Sequence, residues 1–228
     1  MLGKTAKSKA KAPPIKAKAS APVKAKAAAP IKAKDGSNAH AKKLELAKKY
    51  NLGKKEMLEM LSNIYTSRKV DDAEISMKKQ SKAFFQISGA GHEGILTAAA
   101  MVLKPKYDWF LPYYRDRALC LGLGVTPYEM LCQANGNMGD TASYGRMMPA
   151  HWGNKPLNIV NKSSCTGTQF LQACGLAEAG IWFEKLKKEH KVDVSGMDYH
   201  TDEIVYVSTG DGTIAQGEFW EGLTTACV

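Results

Sequence analysis

The stretch that decides the fold is EIVYVS at 203–208, followed by GDGTIAQGEFWEGLTTACV at 210–228. The β-branched and aromatic residues of the first part predict a short buried strand. The two glycines let the backbone approach a ligand, and the N-terminus of the following helix favours an anion. Asp211 between them would repel a phosphate, so it implies a bridging cation such as Mg²⁺. The stretch predicts an α/β fold, and because the chain stops within this helix we expect a larger protein.

The positive charge is confined to the N-terminal part of the chain. The net charge is +10, but residues 1–55 hold 16 Lys and two acidic residues, which leaves 16 basic and 20 acidic residues for 56–228. This acidic balance argues against a nucleic-acid-binding core. The chain has no long apolar run and no secretory signal, so we expect no membrane association. Five cysteines without C-x-x-C spacing predict free thiols in a reducing compartment.

Composition divides the chain into two regions. Residues 1–52 are rich in Lys, Ala and Pro, which predicts a disordered tail. This tail is either a solubilising or tethering arm or a polybasic contact to an acidic partner or nucleic acid. Residues 53–228 are predicted to form the incomplete N-terminal portion of a domain. Periodicity and capping signals predict its helices at 54–80, 92–103, 126–132 and from 166 or 168 to 190.

A polar cluster follows the aromatic stretch DWFLPYY, which is expected to be extended. Arg115 offers a planar fork that suits phosphate oxygens, and Tyr114 adds a hydroxyl donor. The alternative is that Arg115 forms a structural ion pair with Asp108 or Asp116. The sequence leaves both interpretations open.

Two further segments have the composition of functional loops. NKSSCTGTQ at 161–169 places hydroxyls and small residues at the start of a helix, where they suit an anion, a monovalent cation or plain helix capping. GRMMPAHWG at 145–153 holds His151 in an irregular stretch bounded by Gly and Pro, a common setting for a functional imidazole. A structural role for this histidine is the alternative.

In this order the clusters resemble the α subunit of thiamine-diphosphate-dependent 2-oxo acid dehydrogenases, the first components of the branched-chain, pyruvate and acetoin complexes. The matching segments are GHEG at 91–94, YYR at 113–115, GRMMPAHWG at 145–153, SSCTGTQ at 163–169 and GDGTIAQGEFWE at 210–221. The resemblance covers residues 55–228 and is closest to the branched-chain type. It implies the N-terminal portion of a thiamine diphosphate-binding fold, a parallel sheet flanked by helices. It also implies the bacterial cytoplasm or, in a eukaryote, the mitochondrial matrix.

The resemblance assigns roles to individual residues. The positions that match cofactor contacts are Tyr114, Arg115, Gly212 and Thr213 at the diphosphate, with Ser164 and Thr166 beside the aminopyrimidine and the linker. Asp211 matches a magnesium ligand, and the positions that hold K⁺ in branched-chain relatives are Ser163, Thr168 and Gln169. His151 would face the thiazolium, where an imidazole can stabilise an intermediate or shuttle a proton.

The implied reaction is oxidative decarboxylation of a branched-chain 2-oxo acid, with acyl transfer to a lipoyl group. It requires a β subunit or fused β part and a lipoyl-bearing acyltransferase component, in an α2β2-like assembly. The alternatives are a pyruvate or acetoin dehydrogenase α subunit, a transketolase-like enzyme, an inactive fragment and a basic-tail binding protein. The family's metal motif ends in an Asn about thirty residues beyond its first glycine, and the sequence stops earlier. We therefore expect residues 1–228 alone to be inactive.

Overall fold

The structure, a computed structural model, describes residues 36–197 and 199–228. Its helices are α1 (Gly36–Lys49), α2 (Lys54–Lys79), α3 (Glu93–Val102), α4 (Arg117–Leu123), α5 (Pro127–Ala134), α6 (Thr168–Glu189) and α7 (Gly217–Cys227). The strands are β1 (Trp109–Leu111) and β2 (Val205–Val207), and short 3-10 helices cover Lys155–Leu157 and Asp211–Ala215.

Helix α1 lies in the region for which the sequence predicts a disordered tail. Residues 1–35 lie outside the described residues, so disorder there stays a prediction. Over Gly36–Lys49 the structure differs from the prediction and has a helix. The segment follows the last proline of the tail and is rich in Ala, Lys and Leu, which are strong helix formers. The chain divides into two units after Leu46, and the elements from α2 onward belong to the second.

The other predicted helices are confirmed within one or two residues at most ends. Helix α5 begins with the signal that the sequence carries. The Thr126 hydroxyl accepts a hydrogen bond from the Glu129 backbone N–H at 3.2 Å, and the Glu129 carboxylate accepts one from the Thr126 N–H at 2.7 Å. This reciprocal pair satisfies two N–H groups that a helix start leaves free.

Strands β1 and β2 pair in parallel, with Phe110 opposite Tyr206. On the other side of β1, Phe110 forms a bridge to Ile159. The Phe110 N–H donates to the Asn158 carbonyl, and the Phe110 carbonyl accepts from the Val160 N–H. β1 is therefore the inner strand, and the α/β class is confirmed. All three residues of β2 are only half-buried, so the prediction of a buried strand is wrong in degree. The described residues pair β2 with β1 alone, which leaves its outer edge uncovered.

The hydrophobic core lies between β1 and helices α2 to α5. Phe110 and Leu119 are fully buried, and Met130 and Trp152 are nearly so. Helices α3 and α4 approach closely because Gly122 faces Ala100, where a Cβ on the glycine would collide. Helix α6 packs against α7 and β2. The inner strand β1 is thus packed on one face against the core that helices α2 to α5 form.

A buried ion cluster joins α2 to the start of α4. The Arg117 guanidinium, 1% exposed, contacts the Asp71 carboxylate at 2.5 Å and also pairs with Glu74. Asp71 accepts further hydrogen bonds from Gln86 and Ser88. Burial raises the pKa of Glu74 to about 7, although Arg117 opposes the rise. The charges of this cluster are compensated within the chain.

Two expectations from composition can be compared with the structure. All five cysteines are free thiols, as predicted. In the residues that the structure describes, no helix is long and apolar enough to cross a membrane.

Candidate functional site

The loops that follow β1 and β2 meet at one edge of the sheet, where parallel strands bring their carboxyl ends together. The Tyr113 backbone N–H donates to the Ser208 hydroxyl at 2.9 Å and to the Asp116 carboxylate at 3.0 Å. The Ser208 hydroxyl in turn donates to Asp116. This network fixes the loop that carries Tyr114 and Arg115 against the loop that leads to Asp211.

Arg115 lies against aromatic rings rather than against a carboxylate. Its guanidinium carbon is 4.9 Å from the ring centroids of both Tyr113 and Tyr114, and Nη1 donates to the Tyr114 hydroxyl at 3.1 Å. No described carboxylate lies within ion-pair distance of it, because Asp116 bonds to Ser208 and Asp108 accepts from backbone N–H groups. The alternative of a structural ion pair is therefore not found.

The Gly-Asp-Gly turn approaches this arginine directly. A Cβ on Gly210 would lie 2.6 Å from Arg115 Nη2 and 3.1 Å from the Tyr113 ring, so any larger residue there would displace the end of the arginine side chain. The Asp211 side chain is exposed and bonds to none of the residues that the structure describes. Gly212 has open space around it, whereas Thr213 is fully buried with its hydroxyl bonded to Thr209.

His151 and Ser164 come together although they lie in different predicted clusters. The Ser164 hydroxyl is 2.9 Å from His151 Nε2, and the other ring nitrogen is 3.2 Å from the carbonyl oxygen of Pro149. A carbonyl can only accept, so in the neutral ring Nδ1 carries the hydrogen and Nε2 accepts from Ser164. His151 is 4% exposed, whereas Ser164 is exposed. The pair therefore connects a buried imidazole to the surface of the site.

Helix α5 supports the histidine through a buried amide. Gln133 donates to the His151 carbonyl at 2.9 Å and to Asp140 at 3.2 Å. Asp140 also accepts from the N–H groups and the hydroxyl of the following turn, which ends at Gly145. On the other side of the histidine, the Trp152 indole N–H donates to the Tyr113 carbonyl at 3.1 Å. Residues 145–153 are thus fixed between α5 and the loop after β1.

The segment 163–169 enters α6 without a side-chain cap. Its N-cap is Gly167 at φ +104°, and no hydroxyl caps the helix, so the helix-capping interpretation is wrong. A Cβ on Gly167 would lie 3.3 Å from Gln216 and 3.6 Å from Thr213, which places this loop against the Gly-Asp-Gly turn. Gln169 donates to the Ser208 carbonyl at 3.2 Å. Its Oε1 is buried and has no hydrogen-bond partner in the described part of the chain.

The remaining residues predicted at the start of α6, the metal ligands Ser163 and Thr168 and the cofactor contact Thr166, make few contacts. Ser163 accepts from the Cys165 N–H at 3.2 Å, and the Thr166 side chain is exposed. Thr168 begins α6 and is half-buried. Within residues 36–197 and 199–228, no group of three or more His, Cys, Asp or Glu side chains could hold a metal. Any metal at Asp211 would therefore depend on ligands beyond these side chains.

Sequence reasoning missed Lys162. This residue is 5% exposed, and its ammonium nitrogen lies 3.8 Å from the Tyr113 ring centroid and 4.5 Å from that of Tyr114. Burial lowers the pKa of Lys162 to about 8, with Arg115 adding to the effect and Asp116 opposing it. The available signal was its position directly before Ser163. A lysine that lies beside a polar residue, as Lys162 does beside Asn161, is usually solvated, so it did not stand out.

Comparisons with known proteins identify the family. A family model described as dehydrogenase E1 component matches residues 62–228. The 2-oxoisovalerate dehydrogenase subunit alpha of Bacillus subtilis (strain 168) is 32% identical over 173 residues, which is 76% of this chain and 48% of that protein. A mitochondrial 2-oxoisovalerate dehydrogenase subunit alpha 1 of Arabidopsis thaliana is 30% identical over 177 residues, covering 78% and 34% of the two chains.

Another relative is named for a different substrate, pyruvate. The pyruvate dehydrogenase E1 component subunit alpha of Staphylococcus aureus (strain Mu50) is 28% identical over 176 residues, 77% of this chain and 40% of that protein. The chain spans about half the length, or less, of the curated relatives that it matches. The family model covers most of the chain, and the family predicted from the motifs is confirmed. The chain belongs to the dehydrogenase E1 component family.

Proposed function

We propose that this chain is the α part of the first component of a 2-oxo acid dehydrogenase and binds thiamine diphosphate at the ends of β1 and β2. The observation that carries the proposal is the convergence there of Arg115, the Gly-Asp-Gly turn and the Ser164–His151 pair. Open α/β sheets bind their ligands at this edge. Family membership supports the same assignment.

The residues of the turn fit a magnesium-bound diphosphate. The Asp211 carboxylate is exposed and uncommitted, which suits a ligand to a hard cation. Arg115 is held by two tyrosine rings and reaches no carboxylate among the described residues, so its guanidinium donors other than Nη1, which bonds to Tyr114, are available to phosphate oxygens. Gly212 offers an open backbone. Thr213 supports the turn from beneath, through its bond to Thr209, and Tyr114 orients the arginine.

A monovalent cation fits the start of α6. Gln169 Oε1 is a buried carbonyl-type oxygen that lacks a partner in the described residues, and such an oxygen is costly to leave unsatisfied. We assign it, with Ser163 and Thr168, to a K⁺ ion that would hold the loop against the Gly-Asp-Gly turn. The Gln169 amide already joins this loop to Ser208 at the end of β2.

His151 and Ser164 supply the means to move a proton. Bound thiamine diphosphate would supply the carbon nucleophile and the electron sink for decarboxylation. His151 Nε2 accepts from the Ser164 hydroxyl in the neutral ring, so this nitrogen can take up a proton at the exposed face of the site. Gln133 and the Pro149 carbonyl fix the ring. Thr166, exposed beside Ser164, would lie near the aminopyrimidine and linker.

The relatives support the proposed substrate and partners. Those named 2-oxoisovalerate dehydrogenase favour a branched-chain 2-oxo acid, and the relative named for pyruvate makes pyruvate the second candidate. We infer that the site is completed by a β subunit or fused β part, in an α2β2-like assembly, and that a lipoyl-bearing acyltransferase component receives the acyl group. The exposed side chains of Ser164, Thr166 and Asp211 support a site that another component covers.

Calorimetry tests the proposal. We expect thiamine diphosphate to bind the protein reconstituted with its β part in the presence of Mg²⁺, and EDTA to abolish binding. Assays with 2-oxoisovalerate, pyruvate and an artificial electron acceptor then rank the substrates. Residues 1–228 alone should show no turnover. Failure of the reconstituted protein to bind the cofactor, or turnover by the isolated chain, would contradict a two-part active site.

A further inference from the structure

Lys162 is a buried ammonium group that has no ionic partner among the described residues. It is 5% exposed, and its side chain forms no ion pair or hydrogen bond with any residue that the structure describes. Buried charges are costly unless they are paired, and lysine is rarely buried without compensation. The chain therefore tolerates an unfavourable charge at this position, and the residues around Lys162 indicate which ligand that charge could bind.

Lys162 and Arg115 contact the same pair of aromatic rings. Both cations lie against the ring pair of Tyr113 and Tyr114, the lysine nitrogen at 3.8 and 4.5 Å from the ring centroids and the guanidinium carbon at 4.9 Å from each. The nearby Asp116 carboxylate is already bound by the Tyr113 N–H and the Ser208 hydroxyl. Two positive charges thus share one wall of the site with a single committed negative charge.

The backbone holds Lys162 at this wall. Its N–H donates to the Trp152 carbonyl at 3.2 Å, which ties it to the residue after His151. The next residues along the chain form the loop that contacts Thr213 through Gly167. Lys162 therefore lies between the histidine segment and the Gly-Asp-Gly turn, and Arg115 approaches the same turn at Gly210.

An anion with more than one charge would relieve this arrangement. A diphosphate brings several negative charges, and one arginine fork neutralises only part of them. We propose that Lys162 is a second cationic contact for the diphosphate, acting beside Arg115 in the site assigned above, so that the inference rests on the proposed function. The ammonium acts as a point charge on a flexible stem, which complements the rigid fork of the arginine.

The experiment compares two lysine substitutions in the protein reconstituted with its β part. Lys162→Met removes the buried charge at nearly constant shape, and Lys155→Met removes an exposed charge from the same stretch of chain. Dissociation constants for inorganic diphosphate with Mg²⁺ and for thiamine diphosphate are measured by calorimetry. We expect Lys162→Met to weaken both by about tenfold or more, as for a lost charged hydrogen bond, and Lys155→Met to change neither by more than about twofold.

Further arms separate the explanations. Lys162→Arg keeps the charge and should retain most of the affinity, and inorganic monophosphate should bind much more weakly than diphosphate. Thermal melting reports whether Lys162 instead stabilises the tyrosine pair. We expect Lys162→Met to melt no lower than the parent, because it removes an uncompensated charge from the interior. Should the methionine variant fail to fold, Lys162→Gln supplies the same comparison.

The outcomes distinguish this inference from the proposed function. If the parent protein binds neither diphosphate nor thiamine diphosphate, the proposed function fails. If the parent binds both and Lys162→Met binds them equally well, the role of Lys162 fails while the proposed function stands. A lower melting temperature with unchanged affinity identifies a structural lysine. Equal affinity for monophosphate and diphosphate would overturn the assignment to a diphosphate.

Discussion

Two regions of the molecule differ in whether their positively charged side chains are paired with carboxylates. Between α2 and α4, Arg117 is buried against two carboxylates, those of Asp71 and Glu74. At the ends of the strands, Arg115 and Lys162 lie against tyrosine rings and reach no carboxylate within ion-pair distance among the described residues. The first arrangement is complete without a ligand. The second lacks negative charge, which is what a site for an anionic cofactor requires before the cofactor binds.

Breaking the compensated cluster should have the largest effect. Arg117→Met leaves Asp71 and Glu74 buried without their counter-ion, and we expect the free energy of unfolding to fall by about 3–5 kcal/mol. Urea unfolding measures the change. The control is Lys55→Met, which removes an exposed pair with Glu59 at 3.9 Å and should cost less than about 1 kcal/mol. Equal losses in both variants would show that the cluster contributes no more than a surface pair.

Asp211→Ala tests the uncompensated region. Because a single carboxylate in a phosphate-approach turn acts through a metal, we expect the Mg²⁺-dependent part of thiamine diphosphate binding to disappear, a loss of about 100-fold in affinity. The side chain bonds to no described residue, so the melting temperature should not change. Calorimetry with and without Mg²⁺ measures the cofactor affinity, and a thermal scan measures the melting temperature. Cofactor affinity that still depends on Mg²⁺ in the variant would contradict the role of Asp211.

Arg115→Lys should have a comparable or smaller effect on the same measurement. The charge is kept, but the planar fork and its stacking against Tyr113 and Tyr114 are lost. We expect cofactor binding to weaken by about 1–3 kcal/mol, the range for a charged hydrogen bond. An unaltered dissociation constant would mean that positive charge alone suffices at this position.

Glu74 offers a pH test of the compensated region. Burial raises its pKa to about 7 from an ordinary value of 4.5, so the folded state binds the proton more tightly than the unfolded state. Its contribution to stability is therefore fully present below pH 4.5 and is lost as the pH rises through 7. Between pH 5 and 8 the parent should lose about 1–2 kcal/mol more unfolding free energy than Glu74→Gln, which does not titrate. Parallel pH profiles of the two proteins would show that Glu74 does not titrate in this range.

Local patterns predicted the helices and the order of the functional segments. The Thr126 cap and the Gly-Asp-Gly turn are each encoded within a few neighbouring residues. The helix at Gly36–Lys49 was missed because composition averaged it into the proline-rich tail that precedes it.

The chemistry of the site was less accessible from the sequence. The family resemblance implied that Arg115, His151 and Asp211 share one site, but it did not predict that His151 bonds Ser164. The ties between Asp116 and Ser208, and the position of Lys162 over the tyrosines, depend on strand pairing across long separations. No local pattern carries that information, since these side chains meet only when the sheet has formed.

The pairing of β1 with β2 also determines when the site can exist during folding. The bond from Ile204 to Asp108 closes a loop of 96 residues, whereas the bond from Asn63 to Thr97 between α2 and α3 spans 34. Contacts distant in sequence form late, because closing a longer loop costs more entropy. The helical side can therefore collapse first and act as the template on which β2 docks. Until it docks, Arg115 and Lys162 have no Gly-Asp-Gly turn to face, so the cofactor site proposed above would exist only in chains that have completed this last step.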